Sequence, residues 1–315
     1  MKILIIGANG QDGKLLAELL MRCGHKIVCV SRSQTWSVPF ENWGTVDILR
    51  PESVSELLQR LQPDECYYLP SIYPSPEDAA LISGDIVYFE QSYAIHVRGL
   101  IIFLHAIAKS SPRTRLFYAA SSHIFGTPLT QPQDESTPLN PESIYGITKT
   151  MGIHACRYYR RELGVFAATG ILFNHESHLR PAKYVSQKIV CGVRAFQRDR
   201  FRRFEIGDLN AVVDWGYAGD FVEAMTRILN HAIPEDFVVA TGEPHTVGEF
   251  LQTACEIAGE DWRECASANS SLLKRKTTNL VGNSEKLRRL TGWQPTVTFR
   301  QMIERLWIHA RDNQR

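Results

Sequence analysis

The first two dozen residues limit the fold most. Lys2–Ile6 is a short apolar run rich in isoleucine, the pattern of a buried strand. GANGQDG follows, with Gly7, Gly10 and Gly13 three residues apart, and an amphipathic helix runs on to about Cys23. Strand, glycine turn and helix in this order make a phosphate-binding corner. Gly7 suits the tight turn, Gly10 lets backbone approach a pyrophosphate, and Gly13 allows helix against strand. Asn9, Gln11 and Asp12 complete the candidate loop, and the helix N-terminus adds N–H groups and a positive dipole end. The same residues also fit a turn that is only structural.

The order then repeats. A second strand at Lys26–Val30 precedes a third that is expected to end at Val46-Asp47-Ile48. Helix Pro51–Leu61, strand Glu65–Leu69, helix Tyr88–Lys109, strand Arg115–Ala119, helix Ile144–Leu163 and strand Val165–Leu172 follow. Alternating β and α predicts an α/β fold of the Rossmann kind, a doubly wound parallel sheet. Arg32, flanked by hydroxyls at the end of the second strand, stands where an acid would hold a ribose 2′-hydroxyl. That favours NADP over NAD, although a solvated surface arginine is the plain alternative. Asp47 is placed to meet an adenine amino group; Ile48, Leu69, Leu172 and His175 complete the expected cofactor set.

After Phe173 the periodicity loosens. NHESHLRPAKYVSQKI is polar and too irregular for a core strand, so it is expected beyond the carboxyl ends of the strands, where ligands bind. A helix over Gly219–Leu229 and a strand over Phe237–Ala240 return to the sheet. Thr246-Val-Gly-Glu249 and Thr298-Phe-Arg-Gln301 match the capping box and should each start a helix. The expected division is a cofactor domain over 1–172, with 212–242 returning to it, and a smaller α/β substrate lobe from 173–211 and 243–315.

Chemistry is concentrated between Ala119 and Lys149. Tyr145 and Lys149, at i and i+4 on one helix, point the same way. The ammonium is expected to lower the phenol's pKa, and Ser121, at a strand end, to bond the same substrate oxygen. Such a set moves a hydroxyl proton while hydride leaves the same carbon for a nicotinamide. A chance Tyr-x-x-x-Lys is common, so the motif gains its weight from the glycine turn upstream. His96 reads as a buried polar residue without chemistry.

Strand–GANGQDG, SSHIFG, SIYGITK, GILFNHES, DWGYAGDFVEAM, FVVATGEPHTVGEF and LTGWQP occur together and in order. In this the chain resembles the GDP-mannose 4,6-dehydratase family of extended short-chain dehydrogenases/reductases over nearly its whole length. The resemblance implies NADP in the first lobe and a nucleotide-diphosphate sugar in the second. It also implies oxidation at C4 of the hexose, loss of water across C5 and C6, and return of hydride to C6. Ser121 falls where the family has a catalytic threonine, and Tyr145 and Lys149 match. Ser122 and Asn174 fall at sugar or diphosphate positions, and Val185 and Lys188 at positions around guanine. Three positions depart: His123 stands in place of the family's glutamate base, and Val213 and Leu273 in place of two arginines. Arg180, Lys183, Lys274 and Arg275 are the candidates to replace those charges.

A histidine can take and return a proton near neutral pH, so elimination with His123 as base is one reading. In an extended strand end His123 would share a face with Ser121. A 4-keto-sugar reductase or epimerase, needing only Ser121, Tyr145 and Lys149, is a second. A dinucleotide-binding regulatory protein without turnover is a third.

Lys and Arg total 35 against 34 Asp and Glu, a net charge of +1, which asks for neither nucleic acid nor an acidic membrane. The seven cysteines include no Cys-x-x-Cys pair, which points to free thiols and no zinc. No apolar run is long enough to span a bilayer, and the expectation is a soluble, cytoplasmic protein. It is also expected to form at least a homodimer, or a homotetramer, through helices Tyr88–Lys109 and Ile144–Leu163. The stripe Met151, Ala155 and Tyr158 would face outward there.

Overall fold

A computed structural model describes residues 1–32, 35–38, 43, 45–73, 86–273 and 279–310. Its first half runs β1 (Lys2–Ile6), α1 (Gln11–Arg22), β2 (Lys26–Val30), β3 (Thr35–Val38), α2 (Pro51–Leu61) and β4 (Glu65–Tyr68). Next come α3 (Ile86–Tyr93), a π-helical turn over Ala94–Arg98, α4 (Gly99–Ser110), β5 (Arg115–Ser121), α5 (Ile144–Leu163) and β6 (Ala167–Leu172). The second half contains β7 (Asn174–Glu176), α6 (Val185–Arg198), β8 (Phe204–Ile206), β9 (Val212–Tyr217), α7 (Ala218–Asn230) and β10 (Asp236–Val239). It closes with β11 (Pro244–Thr246), α8 (Val247–Ala258), α9 (Trp262–Cys265), β12 (Ala266–Ala268), α10 (Glu285–Thr291) and α11 (Phe299–His309).

The central sheet has the order β10-β6-β5-β4-β1-β2-β3 among the described residues. Its pairs are parallel except β2 with β3. Helices cover both faces, so strands such as Ile3–Ile6 are buried and read as unbroken apolar runs. Strand order reverses between β1 and β4, and the crevice beyond their carboxyl ends is where such sheets take ligands.

The third strand is a correction. Residues 46–48 form no strand; β3 lies earlier and runs antiparallel to β2. Val46 and Ile48 do pack on the core. Asp47, however, is exposed, and its carboxylate accepts the Leu49 N–H at 2.9 Å, which turns the chain into α2. An apolar-polar-apolar triplet here belongs to a packed turn. The expected helix over Tyr88–Lys109 is continuous in direction but carries the π turn in its middle.

A second apolar cluster gathers Ile189, Val193, Phe250, Leu251, Met302 and Ile303 around Trp215. It is built by the apolar faces of α6, α8 and α11. Both capping boxes form: Thr246 and Glu249 exchange hydrogen bonds, as do Thr298 and Gln301. One buried carboxylate ties this cluster to the sheet. Asp214, on β9, accepts N–H groups of Thr241, Gly242 and Gly282 at 3.0–3.1 Å and the Thr241 hydroxyl.

Candidate active site

The glycine turn closes beside the end of β4. A Cβ at Gly13 would meet Ala8 Cα and the Gly7 carbonyl at 2.6 Å, so α1 can start this close to β1 only with glycine there. A Cβ at Gly10 would meet only the Gly7 carbonyl, at 3.3 Å, and would fill the open concavity. That cradle, at the N-terminus of a twelve-residue helix, fits a dinucleotide pyrophosphate. Gln11 and Asp12 do not simply line it. Gln11 donates to the His175 carbonyl at 3.1 Å and accepts from Ser177 at 2.9 Å. His175 places Nδ1 on the Phe173 carbonyl at 2.7 Å and Nε2 on both Asp12 oxygens at 3.1 Å. Both partners are acceptors, so both ring nitrogens carry protons. Burial opposes the charges, but the pairing prevails: His175 is held above its usual pKa and Asp12 below. Asn9 and Arg32 are exposed, Leu172 is buried and Leu69 half-buried.

Ser121 is the last residue of β5, and there the backbone stops being extended. Ser122–Phe125 form a 3₁₀ turn capped by the Ser121 hydroxyl, which accepts the His123 N–H at 3.3 Å. Ser121 and His123 therefore do not share a strand face as expected, because a 3₁₀ turn has three residues per turn, not two. His123 still reaches the cleft: its Nε2 lies 3.0 Å from the Tyr73 hydroxyl and its ring 5.7 Å from that of Tyr145. α5 begins against this turn; a Cβ at Gly146 would lie 2.5 Å from the His123 carbonyl. Ser122, expected against substrate, is buried in this turn.

Tyr145 and Lys149 project from the same side of α5, but the phenol's pKa is raised rather than lowered as expected. Lys149 Nζ donates to the Ala119 carbonyl at 2.7 Å and lies over the rings of Tyr118 and Tyr145. Burial lowers its pKa to about 7, with Asp12 working the other way. Burial likewise pushes the Tyr145 phenol up to about 12, despite hydrogen bonds from Ser71 and Ser121. Desolvation disfavours both charges, and it outweighs their attraction here. At neutral pH Tyr145 is thus a phenol.

Sequence reasoning missed what stands behind Tyr145. The Ile72 N–H donates to His96 Nε2 at 3.0 Å, and His96 Nδ1 meets Thr148 Oγ1 at 2.8 Å. An Nε2 that accepts leaves the proton on Nδ1. Burial, then Lys149, takes His96 down to about 2, so it is a neutral strut between α5 and the segment after β4. The π turn that presents it is the kind of local irregularity that recurs at functional sites. Tyr73, two residues past Ser71, packs its ring 4.7 Å from Tyr145 and stacks on Tyr184 at 6.1 Å. Tyr73 did not stand out in the sequence, since it belongs to no local motif or periodic face.

A cleft of about 690 Å³ opens from these residues towards the second cluster. Asn174, Arg180, Lys183 and Val185 line it, while Lys188 does not. Val213 and Leu273 contribute apolar wall, and Lys274 and Arg275 lie outside the described residues. Arg180 stacks over Tyr184 at 4.1 Å and meets the buried Glu176 carboxylate at 3.5 Å. Among the described residues no group of His, Cys, Asp or Glu is arranged to hold a metal, and no helix is long and apolar enough to cross a membrane.

Sheet order, glycine turn and the Ser121–Tyr145–Lys149 set define a dinucleotide-binding fold of the extended short-chain dehydrogenase/reductase class. Its overall shape matches that of RMD from Pseudomonas aeruginosa complexed with NADPH, at TM-score 0.83 and 19% identity, over 98% of both chains. It also matches dTDP-glucose 4,6-dehydratase from Bacillus anthracis in complex with NAD, at TM-score 0.82 and 16% identity, over 99% and 97% of the two chains. The family model for GDP-mannose 4,6 dehydratase matches residues 4–306. GDP-mannose 4,6 dehydratase 2 of Arabidopsis thaliana is 32% identical over 96% of this chain and 84% of its own length. The human GDP-mannose 4,6 dehydratase is 29% identical over 98% and 90%. The chain belongs to the GDP-mannose 4,6-dehydratase family, a family of nucleotide-sugar enzymes.

Proposed function

We propose that this protein is an NADP-dependent enzyme that oxidises C4 of a GDP-hexose and then removes water across C5 and C6. The observation that carries this is the meeting of Ser121, Tyr145 and Lys149 at the end of β5, with Tyr73 and His123, which pack on Tyr145, lining a cleft of about 690 Å³. NADP, held at the glycine turn, would supply the hydride acceptor. Tyr145, once ionised, would take the proton of the C4 hydroxyl, and Ser121 would bond the same oxygen. Lys149 fixes the end of β5 through the Ala119 carbonyl and stays close enough to Tyr145 to answer changes in its charge. His123 faces the next carbons and is the candidate base for C5. Arg180 and Lys183 are the candidate diphosphate contacts, and Val185 lies towards the base.

A second reading is a 4-keto-sugar reductase, favoured by a histidine where the family has a carboxylate. Mass spectrometry of GDP-mannose incubated with the protein and NADP separates the two. The proposal expects a product lighter by one water with no added reductant. Turnover of a keto sugar only when NADPH is supplied would replace it with the reductase.

A further inference from the structure

Resting on that reading, we propose that Tyr73 and His123 act as one acid–base pair, with the Tyr73 hydroxyl relaying the proton between His123 and substrate. Tyr73 Oη lies 3.0 Å from His123 Nε2, and both side chains line the cleft. Both rings also pack on Tyr145, at 4.7 and 5.7 Å between centroids. The pair therefore borders the position of a carbon whose neighbour carries the oxygen bonded by Tyr145.

The placement of Tyr73 is built from three directions. His96 holds the backbone N–H of Ile72 at 3.0 Å. The Tyr184 hydroxyl donates to the Tyr73 carbonyl at 2.9 Å. The Tyr184 ring lies nearly parallel to that of Tyr73, with interplanar angle 5°, and is itself backed by Arg180. A tyrosine that only filled space would not need its hydroxyl set on a ring nitrogen.

The step balances without an added reactant. Once C4 is a ketone, the C5–H bond breaks and its electron pair enters the enolate. The proton bonds to Tyr73 Oη as the phenolic O–H proton passes to His123 Nε2. The pair then runs in reverse: the imidazolium returns its proton to Tyr73, Tyr73 protonates the C6 hydroxyl, and the C6–O bond breaks to release water. A phenol interposed in this way gives a reach that imidazole alone lacks.

Tyr73→Phe keeps the ring and removes only the relay atom. The full-length protein is loaded with NADP and mixed with GDP-mannose in deuterated water. Reduction of the bound nicotinamide reports C4 oxidation, and mass spectrometry reports deuterium at C5. Tyr73→Phe is expected to oxidise C4 within about threefold of wild type and to lose C5 exchange by about 100-fold, the usual scale of a general-base deletion. Combining it with His123→Ala should cost no more than either change alone, since both remove one unit. Wild-type exchange rates in Tyr73→Phe, or additive losses in the double variant, overturn the relay. Nicotinamide reduction without C5 exchange in the wild type also overturns the relay and leaves the C4 oxidation standing. If the wild type reduces no nicotinamide, the function proposed above falls and takes the relay with it.

Discussion

Lys149 is 2% exposed, and the loss of hydration leaves its ammonium near neutral pH rather than far above it. Its hydrogen bond to Ala119 holds the helix that carries Tyr145 to the strand that carries Ser121. Lys149→Met should therefore lower C4 oxidation by about 100-fold, measured as nicotinamide reduction in one turnover; a loss under about threefold would make the lysine only a packing residue. Tyr145→Phe should abolish C4 oxidation and C5 exchange together, since without the ketone C5 is not acidic. His123→Ala should spare the first and suppress the second. Equal deuterium uptake by His123→Ala and wild type would make the histidine a bystander. The Ser–Tyr–Lys set was legible in the sequence because Tyr145 and Lys149 are one helical turn apart. Tyr73 was not, because its partners lie 50 and 111 positions away.

Between elements, the Asp12–His175 pair joins the cofactor turn to β7, and its pH behaviour follows from the two shifts. His175 is held above its ordinary pKa, so its contribution is full below about 6.5 and is lost as pH rises through the raised value. Asp12 is held below its ordinary value, so its contribution is present above about 3.8 and is lost as pH falls through the lowered one. Urea midpoints of wild type and His175→Gln should differ more at about pH 6 than at about pH 9; the opposite order would mean a neutral His175 in the folded state. Asp214, with four donors and 1% exposure, is a stronger tie. Asp214→Ala strands three N–H groups and should cost about 3–5 kcal/mol in denaturant unfolding. The end of β2 tests cofactor choice. Arg32 is exposed there with no acid beside it in sequence, and NADP should bind at least about tenfold tighter than NAD, about 1.4 kcal/mol by calorimetry. Most elements were legible because burial on both sheet faces writes itself as apolar runs. β3 was not, because a packed turn at 46–48 imitates a strand. Helix α6 was not, because Pro181 and a polar face hide its apolar stripe of Ile189, Val190, Val193 and Phe196.

At the scale of the molecule, α3, the π turn, α4 and α5 lie side by side on one face of the sheet. Tyr93, Ile147, Met151 and Tyr158 are exposed there, while Ala155 turns partly into the core instead of joining the outward stripe. An isologous dimer through this face is the expected assembly. Light scattering at micromolar protein should give at least twice the chain mass, and Met151→Glu with Tyr158→Glu should halve it; a wild-type monomer contradicts the assembly. The cleft lies beyond the carboxyl ends of β5 and β6, where His123, Phe173 and Asn174 line it. Its lining from distant segments such as Gly126–Thr127 and Asn279–Leu280 has no counterpart in any local pattern. The most direct test of the whole account follows one hydrogen. GDP-mannose carrying deuterium at C4 is incubated with the protein and a catalytic amount of NADP. The account predicts a product that has lost one water and retains the deuterium at C6, with no net NADPH formed. Deuterium left on C4, or carried off in NADPH, would contradict it.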